Sequence, residues 1–357
     1  MRSVHVRAHA AALGLTLALT TSCTLVGGDE SAPDPAPGES PSEVVLVTHE
    51  SFAMPEKLLR QFESDTGLTL DVRSAGDAGT VTNKLVLTKD DPTGDVAFGV
   101  DNTFASRALE AGVFADSDAD LPDGADDFAL ADGTDRLVPV DTGSVCVNVD
   151  TGWFAERDLD APETLDDLVD PAYRDLFVTP GAATSSPGMA FLLSTIAEYG
   201  DAWPDYWADL MANGAKLTNG WSDAYYVDFT RGGGDGDRPI VLSYDSSPAF
   251  TLAEDGESST TEALLDTCFR QVEYAGVLEG AANPEGGREL LEFLLSPEVQ
   301  AALPESMYVF PVVDGVDLPP DWARFAVQPD DAYSVDAAEV AERREEWLTT
   351  WTDVTTR

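Results

Sequence analysis

The chain has 357 residues, of which 43% are hydrophobic and 24% are charged. This length predicts about two domains, since domains usually run to ~100–200 residues. Asp and Glu number 66 against 20 Lys and Arg, giving a formal net charge of -46. Such a surface repels phosphate backbones and anionic lipids, so the composition argues against nucleic-acid binding and electrostatic docking on membranes. It favours cations near a cleft, although we expect most of these carboxylates to be solvated.

The first 22 residues have the pattern of a secretory signal peptide. Two arginines precede an apolar run from Ala10 to Leu19 and then small residues. The run is too short to span a membrane, which takes ~20 residues. Cys23 follows directly, which resembles the lipobox of bacterial lipoproteins, where that cysteine is lipidated; ordinary cleavage with a free Cys23 is the alternative. Residues 23–42 are rich in Pro, Gly, Ser and acid and predict a flexible tether. We therefore expect an exported protein, lipid-anchored to the outer face of the cytoplasmic membrane.

The body of the chain begins with short apolar runs that alternate with helical patterns. The pattern predicts strands at 44–47, 68–72 and 95–100, and helices at 55–67 and 80–87. A β-α-β-α-β order with short connections predicts a parallel α/β sheet. Ligands bind beyond the carboxyl ends of such strands, where this chain has polar residues at 48–51, 74–80 and 101–102. Asp101 and Asn102 could instead cap a helix.

A second α/β region follows. The pattern predicts strands at 137–149, 177–178, 239–244 and 269–278, and helices at 189–199, 203–207, 285–295 and 335–351. Two of the strands, 137–149 and 269–278, are extended enough to cross between two lobes. We therefore predict an α/β protein with two lobes, each a mostly parallel sheet flanked by helices. The predicted division is 43–140 with 272–312 as lobe 1, 141–271 as lobe 2, and 313–357 as a C-terminal helical segment.

Few residues remain for catalysis after export. His49 is the one histidine beyond the signal, so a zinc site with two or three imidazoles is excluded. Neither a Gly-x-Ser-x-Gly nor a Gly-x-x-x-x-Gly-Lys-Ser/Thr motif occurs. Outside the cell, Cys146 and Cys268 most simply form a disulfide, with a nucleophilic thiol as the alternative. We predict a protein that is not an enzyme and needs no metal or cofactor.

Several motifs occur in a family-specific order. The most specific are TSSPG at 184–188, GWSDAY at 220–225 and LSYDSSPAF at 242–250. Together they resemble thiamine-binding proteins of bacterial ABC importers, and the resemblance runs from about Val44 to Trp351. It implies a type II periplasmic-binding-protein fold that closes on thiamine or its phosphates. It further implies a monomer that delivers this ligand to a membrane permease.

The resemblance also implies an aromatic part of the site. Thiamine has a permanently cationic thiazolium and a flat aminopyrimidine, which aromatic faces can stack on and attract. Trp221 and Tyr244 match family positions that line the ligand, and Tyr225 lies in the same motifs. Phe250 stands where the family often has Tyr, and Tyr308 near a position that is often Trp. Each of these rings could alternatively belong to the core, as we expect for Trp203, Trp207 and Trp347.

The resemblance implies a polar part as well. His49 stands where Tyr is usual, before Glu50, and a neutral His beside a thiazolium predicts a mild pH dependence. Asp77 and Ala78 match a loop near the hydroxyethyl or phosphate end of the ligand. Ser185 precedes a helix start, where hydroxyls and free N–H groups could hold that same end, or could simply cap the helix.

Two other functions have some support from the residues. Tyr225 and Tyr226, with His49 and Glu50 or Asp77, are similar to the iron ligands of ferric-ion-binding proteins of the same fold, and suit a hard cation. Thiaminases also resemble this fold and would need Cys146 as the nucleophile. The thiamine-type context of the tyrosine pair and the availability of Cys268 favour thiamine binding over both.

Overall fold

The computed structural model describes residues 42–117, 119–130, 133 and 135–356. The predicted signal peptide, Cys23 and almost all of the predicted tether lie outside the described residues. No helix among the described residues has the length and apolarity to cross a bilayer. The lobe boundaries given above stay a prediction.

Nine strands of the described residues form one mixed sheet. Its order is β2-β1-β3-β8-β4-β7-β5-β6, with β9 paired to β4. The strands are β1 Glu43–Thr48, β2 Thr69–Ser74, β3 Val96–Asp101, β4 Val138–Asp150, β5 Phe177–Pro180, β6 Lys216–Thr218, β7 Ile240–Tyr244, β8 Thr261–Val277 and β9 Phe310–Pro311.

Helices connect and cover these strands. In the described part of the chain they are α1 Glu56–Thr66, α2 Ala78–Leu87, α3 Ala105–Glu110, α4 Thr151–Glu156, α5 Ser186–Tyr199, α6 Trp203–Ala212, α7 Pro284–Leu294, α8 Pro297–Met307, α9 Pro320–Phe325 and α10 Ala337–Thr355. A π-helical segment, Asp223–Asp228, carries the tyrosine pair.

The β-α-β-α-β start of the body is confirmed. β1 pairs in parallel with both β2 and β3, because α1 and α2 return the chain to the same edge of the sheet. α1 ends at Gly67, whose φ of 75° is a left-handed conformation that glycine adopts without a steric penalty. The alternative role for Asp101 is also observed: its Oδ1 accepts hydrogen bonds from the backbone N–H of Thr103 and of Phe104, at 3.0 and 3.1 Å.

Two long antiparallel strands join the halves of the sheet. β4 is buried along its whole length, and β8 pairs with β3 on one side and β4 on the other. β8 begins at Thr261 and not at Phe269 as predicted. Its first eight residues, TEALLDTC, mix buried with exposed positions and polar with apolar side chains, so no regular strand pattern shows in the sequence. The architecture is that of a two-lobed type II binding-protein fold, as predicted.

The C-terminal helix, α10, packs into the main hydrophobic core. Trp351 of α10 makes an edge-to-face contact with Trp207 of α6, with 5.6 Å between ring centroids. Trp203, Trp207 and Trp347 are buried, which confirms their assignment to the core. The sequence pattern missed α8, which begins at Pro297 after the capping residue Ser296. Pro304 lies inside this helix, and an interior proline is a local signal against helix formation.

Candidate ligand cleft

The parallel strands of the first half bring several predicted residues to one edge of the sheet. His49 and Glu50 follow β1, Asp77 and Ala78 follow β2, and Asp101 ends β3. Asp77 caps α2, because its Oδ1 accepts a hydrogen bond of 2.7 Å from the Ala78 N–H. Polar groups from three strands therefore meet at one rim, as the topology requires.

A cavity of about 240 Å³ lies beside this rim, and we call it the aromatic cavity. All five predicted aromatic residues line it, together with residues that the sequence did not indicate. The lining comprises Trp221, Tyr225, Tyr226, Arg231, Gly232, Gly233, Tyr244, Ser246, Ser247, Phe250, Thr251 and Tyr308. Trp221 and Tyr225 stack at 5.0 Å between ring centroids with an interplanar angle of 21°. The cavity therefore offers flat aromatic faces to a small ligand.

Hydrogen bonds fix the rings of the aromatic cavity in place. Trp221 Nε1 donates to Ser243 Oγ at 3.1 Å, and Ser243 Oγ lies 2.8 Å from Ser247 Oγ. The Tyr308 carbonyl accepts a 2.6 Å hydrogen bond from Ser246 Oγ, and the ring of Tyr308 lies 4.1 Å from that of Phe250. The serines of the SYDSSPAF motif thus orient rings that come from three separate segments.

The two sides of the cleft touch each other at the cavity. Asp77 Oδ2 accepts a hydrogen bond of 3.0 Å from the Trp221 N–H. Ser51 Oγ lies 3.5 Å from Ser222 Oγ. A side chain at Gly79 would come within 2.7 Å of the Thr184 backbone, so glycine is needed for this approach. Because Asp77 and Trp221 are 144 residues apart in the chain, their contact is one that only the fold creates.

The remaining predicted residues do not line the aromatic cavity. His49, Ala78 and Ser185 are buried, and Glu50 is exposed next to the Asp77 loop. The Ser185 hydroxyl lies at the start of α5 and has no hydrogen-bond partner among the described residues. An unpaired buried hydroxyl at a helix N-terminus is well suited to an anionic or hydroxylated ligand group.

Three buried carboxyl groups lie side by side on β3, β4 and β8, and the sequence indicated only Asp101 among them as a rim residue. Asp101 on β3 and Asp141 on β4 are each the direct cross-strand neighbour of Glu273 on β8. Directly opposed residues project from the same face of a sheet, so the three side chains form one cluster, which we call the acidic patch. His49 Nε2 lies 3.7 Å from Glu273 Oε2. A single acid inside an otherwise apolar strand, as in VPVDTG and QVEYAG, is the signal that could have revealed it.

Burial controls the ionisation of these groups. It raises the pKa of Glu273 to about 7 and that of Asp101 to about 6, and it raises the pKa of Asp141 well above its usual range. Asp245, which follows β7, also has its pKa raised by burial, to about 7. Burial lowers the pKa of the His49 imidazole, so this group is neutral at neutral pH.

Cys146 and Cys268 are joined by a disulfide between β4 and β8. Both half-cystines are fully buried. The thiaminase alternative needed a free thiol at Cys146, and a disulfide sulfur has none to ionise. The disulfide predicted from the sequence is confirmed, and it leaves no free thiol at Cys146 to act as a nucleophile.

Long crossover strands and a cleft with an aromatic cavity define a solute-binding protein of the two-lobed class. The chain belongs to the bacterial extracellular solute-binding protein family, whose model matches residues 57–328. It is 30% identical over 317 residues to the thiamine-binding periplasmic protein of Escherichia coli (strain K12), covering 86% of this chain and 92% of that protein. A solved periplasmic thiamin binding protein superposes with a TM-score of 0.78 at 27% identity, covering 90% of this chain and 100% of that one. Iron-bound HitA from Pseudomonas aeruginosa superposes at 0.69 with 19% identity, covering 88% and 99%, a likeness of fold alone.

Proposed function

We propose that this protein captures thiamine or a thiamine phosphate outside the cell and delivers it to the permease of an ABC importer. The observation that carries the proposal is the aromatic cavity, because its stacked and edge-on rings suit a flat aminopyrimidine joined to a cationic ring. Relatives named as thiamine-binding proteins, aligned over most of the chain, support the same ligand.

We propose complementary roles for the two sides of the cleft. In the proposed complex, Trp221, Tyr225, Tyr244, Phe250 and Tyr308 surround the rings of the ligand. Asp77, Ala78 and Ser185 lie at the N-terminal ends of α2 and α5, where free N–H groups can hold a hydroxyl or phosphate. Glu50 lies beside this end, and His49 lies behind it against Glu273.

The proposed mechanism is capture by closure. The hydrogen bond between Asp77 and Trp221 spans the cleft, so the two sides must separate for a ligand to enter. A ligand shifts the protein to the closed form only to the extent that it binds that form more tightly. The closed form is then the one presented to the permease. We further propose that a lipid on Cys23 and the tether keep the monomeric body at the outer face of the membrane.

Iron is the weaker candidate ligand. Although Tyr225 and Tyr226 line the cavity, His49 does not, and its Nε2 faces Glu273 instead. Trp221 stacks on Tyr225, which places an aromatic face where an iron site would need oxygen ligands.

Calorimetric titration of the mature chain tests the proposal. Thiamine, its mono- and diphosphate, and ferric citrate are titrated separately into the same protein. We expect thiamine or one of its phosphates to bind with a Kd of about 1 μM or tighter, equivalent to about 8 kcal/mol. Tight ferric binding without a thiamine signal would refute the proposal.

A further inference from the structure

The acidic patch is continuous with the aromatic cavity through Tyr244. The hydroxyl of Tyr244 donates to Gln271 Oε1 at 3.3 Å, and its ring lies over Gly143, where an added Cβ would come within 3.3 Å of Tyr244 Cδ1. Gln271 and Glu273 are two residues apart on β8, so their side chains project from the same face of the sheet. Tyr244 therefore has one edge in the cavity and its hydroxyl at the border of the patch.

The patch has more acidic groups than cations: among the described residues, Arg344 of α10 acts on Asp101, and neither Asp141 nor Glu273 has an ion pair with Lys or Arg. Among the described residues, the basic side chain within 4.0 Å of it is His49, which burial keeps neutral. The carboxyl group of Asp141 is buried, and the side chain that it hydrogen-bonds is the carboxyl group of Glu273, within the patch itself. Ionising a buried carboxyl group without a compensating positive charge is destabilising. Such an arrangement is explained if a positive charge arrives from outside the chain.

We propose that the acidic patch, with Glu273 at its centre, supplies the negative charge that holds the cationic ring of the ligand in the cleft. The proposal rests on the proposed function and names the residues that select a cationic ligand over a neutral one of similar shape. Tyr244 would contact the ligand on the cavity side, with Glu273 beyond it. The closed cleft would then exclude water from the charges of the ligand and of Glu273, which strengthens their attraction.

Binding of a cation beside the patch should release protons. A nearby positive charge favours the ionised carboxylate, so it lowers a pKa that burial has raised to about 7. At pH 7 the wild-type protein should therefore lose a fraction of a proton for each ligand bound. Titratable groups from several elements face Glu273: His49 after β1, Asp77 before α2, Asp101 on β3, Asp141 on β4 and Tyr244 on β7. Two further charges interact with these groups, Arg344 of α10 with Asp101 and Glu50 with His49.

The variant Glu273→Gln removes the charge and keeps the shape of the protonated side chain. Its matched control is Glu262→Gln, which removes an exposed charge from the same strand. Each protein is titrated with thiamine and with the neutral pyrimidine half of thiamine, 4-amino-5-hydroxymethyl-2-methylpyrimidine. We expect E273Q to bind thiamine about tenfold or more weakly, with the neutral compound affected less than about threefold and E262Q unchanged for both.

Proton release is measured independently by titrating wild-type protein with thiamine at pH 7 in two buffers of different ionisation enthalpy. We expect release in the wild type and its loss in E273Q. This readout needs no variant, so it tests the proposal even if E273Q does not fold. Wild-type binding without proton release, or equal affinity of E273Q and wild type for thiamine, would overturn the inference while leaving the proposed function intact. Failure of the wild type to bind thiamine at all would overturn the proposed function itself.

Discussion

The aromatic cavity and the acidic patch are neighbours in the cleft but differ in how their polar groups are satisfied. In the cavity, the indole N–H of Trp221 and the hydroxyl of Ser246 both have protein partners. In the patch, the side chain that Asp141 hydrogen-bonds is another acid, Glu273, and burial raises the pKa of both. The cavity is thus stable as built, whereas the patch gains stability from protonation or from a cation. The comparison teaches that shape recognition and charge recognition can be placed on different elements of one cleft.

The largest expected effect concerns the disulfide that joins β4 to β8, the two strands that carry Asp141 and Glu273 of the patch. Cys146 and Cys268 are separated by 122 residues, and closing so long a loop stabilises the fold by about 5 kcal/mol in the loop-entropy model. The double variant Cys146→Ala, Cys268→Ala should lose about 2–5 kcal/mol of unfolding free energy in urea titrations. Dithiothreitol should destabilise the wild type similarly and leave the variant unchanged. A loss below about 1 kcal/mol would contradict the prediction.

The next effect tests the cavity side of the comparison. Trp221→Ala removes a buried ring that stacks on Tyr225, so thiamine affinity should fall at least tenfold, or about 1.4 kcal/mol or more. Calorimetry measures this directly. The control is Trp153→Ala, a partly buried ring on α4 that contacts Arg157 instead of the cleft. Equal losses in both variants would show that the effect is not specific to the cavity.

Buried carboxyl groups in and near the acidic patch make the unfolding free energy of the protein depend on pH. The folded-state pKa values of Glu273 and Asp245 are about 7, above those of the unfolded chain. Their contribution to the unfolding free energy is therefore fully present below about pH 4 and is lost as the pH rises through 7. His49 has the opposite effect. Because its pKa is lowered in the folded state, it decreases the unfolding free energy only as the pH falls below the ordinary histidine pKa of 6.5. Ligand-free protein should therefore lose unfolding free energy from pH 6.5 to 8, on the order of 1 kcal/mol per carboxyl group. Chemical denaturation between pH 6.5 and 8 measures this decrease, which should be smaller in E273Q. A rise in the unfolding free energy over this range would contradict the prediction.

The smallest effect tests the contact between the two sides. Asp77→Asn keeps an amide oxygen that can cap α2 but removes the charge that strengthens the hydrogen bond to the Trp221 N–H. Thiamine affinity should fall about threefold to fivefold, or about 1 kcal/mol, because the closed form is weakened. The control Asp167→Asn removes a charge that accepts similar backbone hydrogen bonds far from the cleft. An unchanged affinity in Asp77→Asn would show that this contact does not stabilise closure.

The sequence predicted the fold class, the parallel strands of the first half and the aromatic residues that line the cavity, for identifiable reasons. Apolar runs such as Val44–Val47, the helix start at Pro55 and the helix end at Gly67 are local signals, so the alternation of strands and helices alone indicated a parallel sheet. Trp221, Tyr225, Tyr244 and Phe250 occur in motifs of contiguous residues, and all of them line one cavity. Helix α8 was missed because Pro304 opposes the local pattern, while burial of its apolar face stabilises it in the fold.

The acidic patch was decided by the tertiary structure alone. Asp101, Asp141 and Glu273 are far apart in the chain, and strand register, including two bulges, brings them opposite one another. The raised pKa values arise from burial and mutual repulsion, neither of which a residue possesses by itself. Sequence thus determined which rings could bind a ligand, because ring chemistry and motifs are local. Charge recognition depended on burial and proximity, which exist only once the sheet has formed.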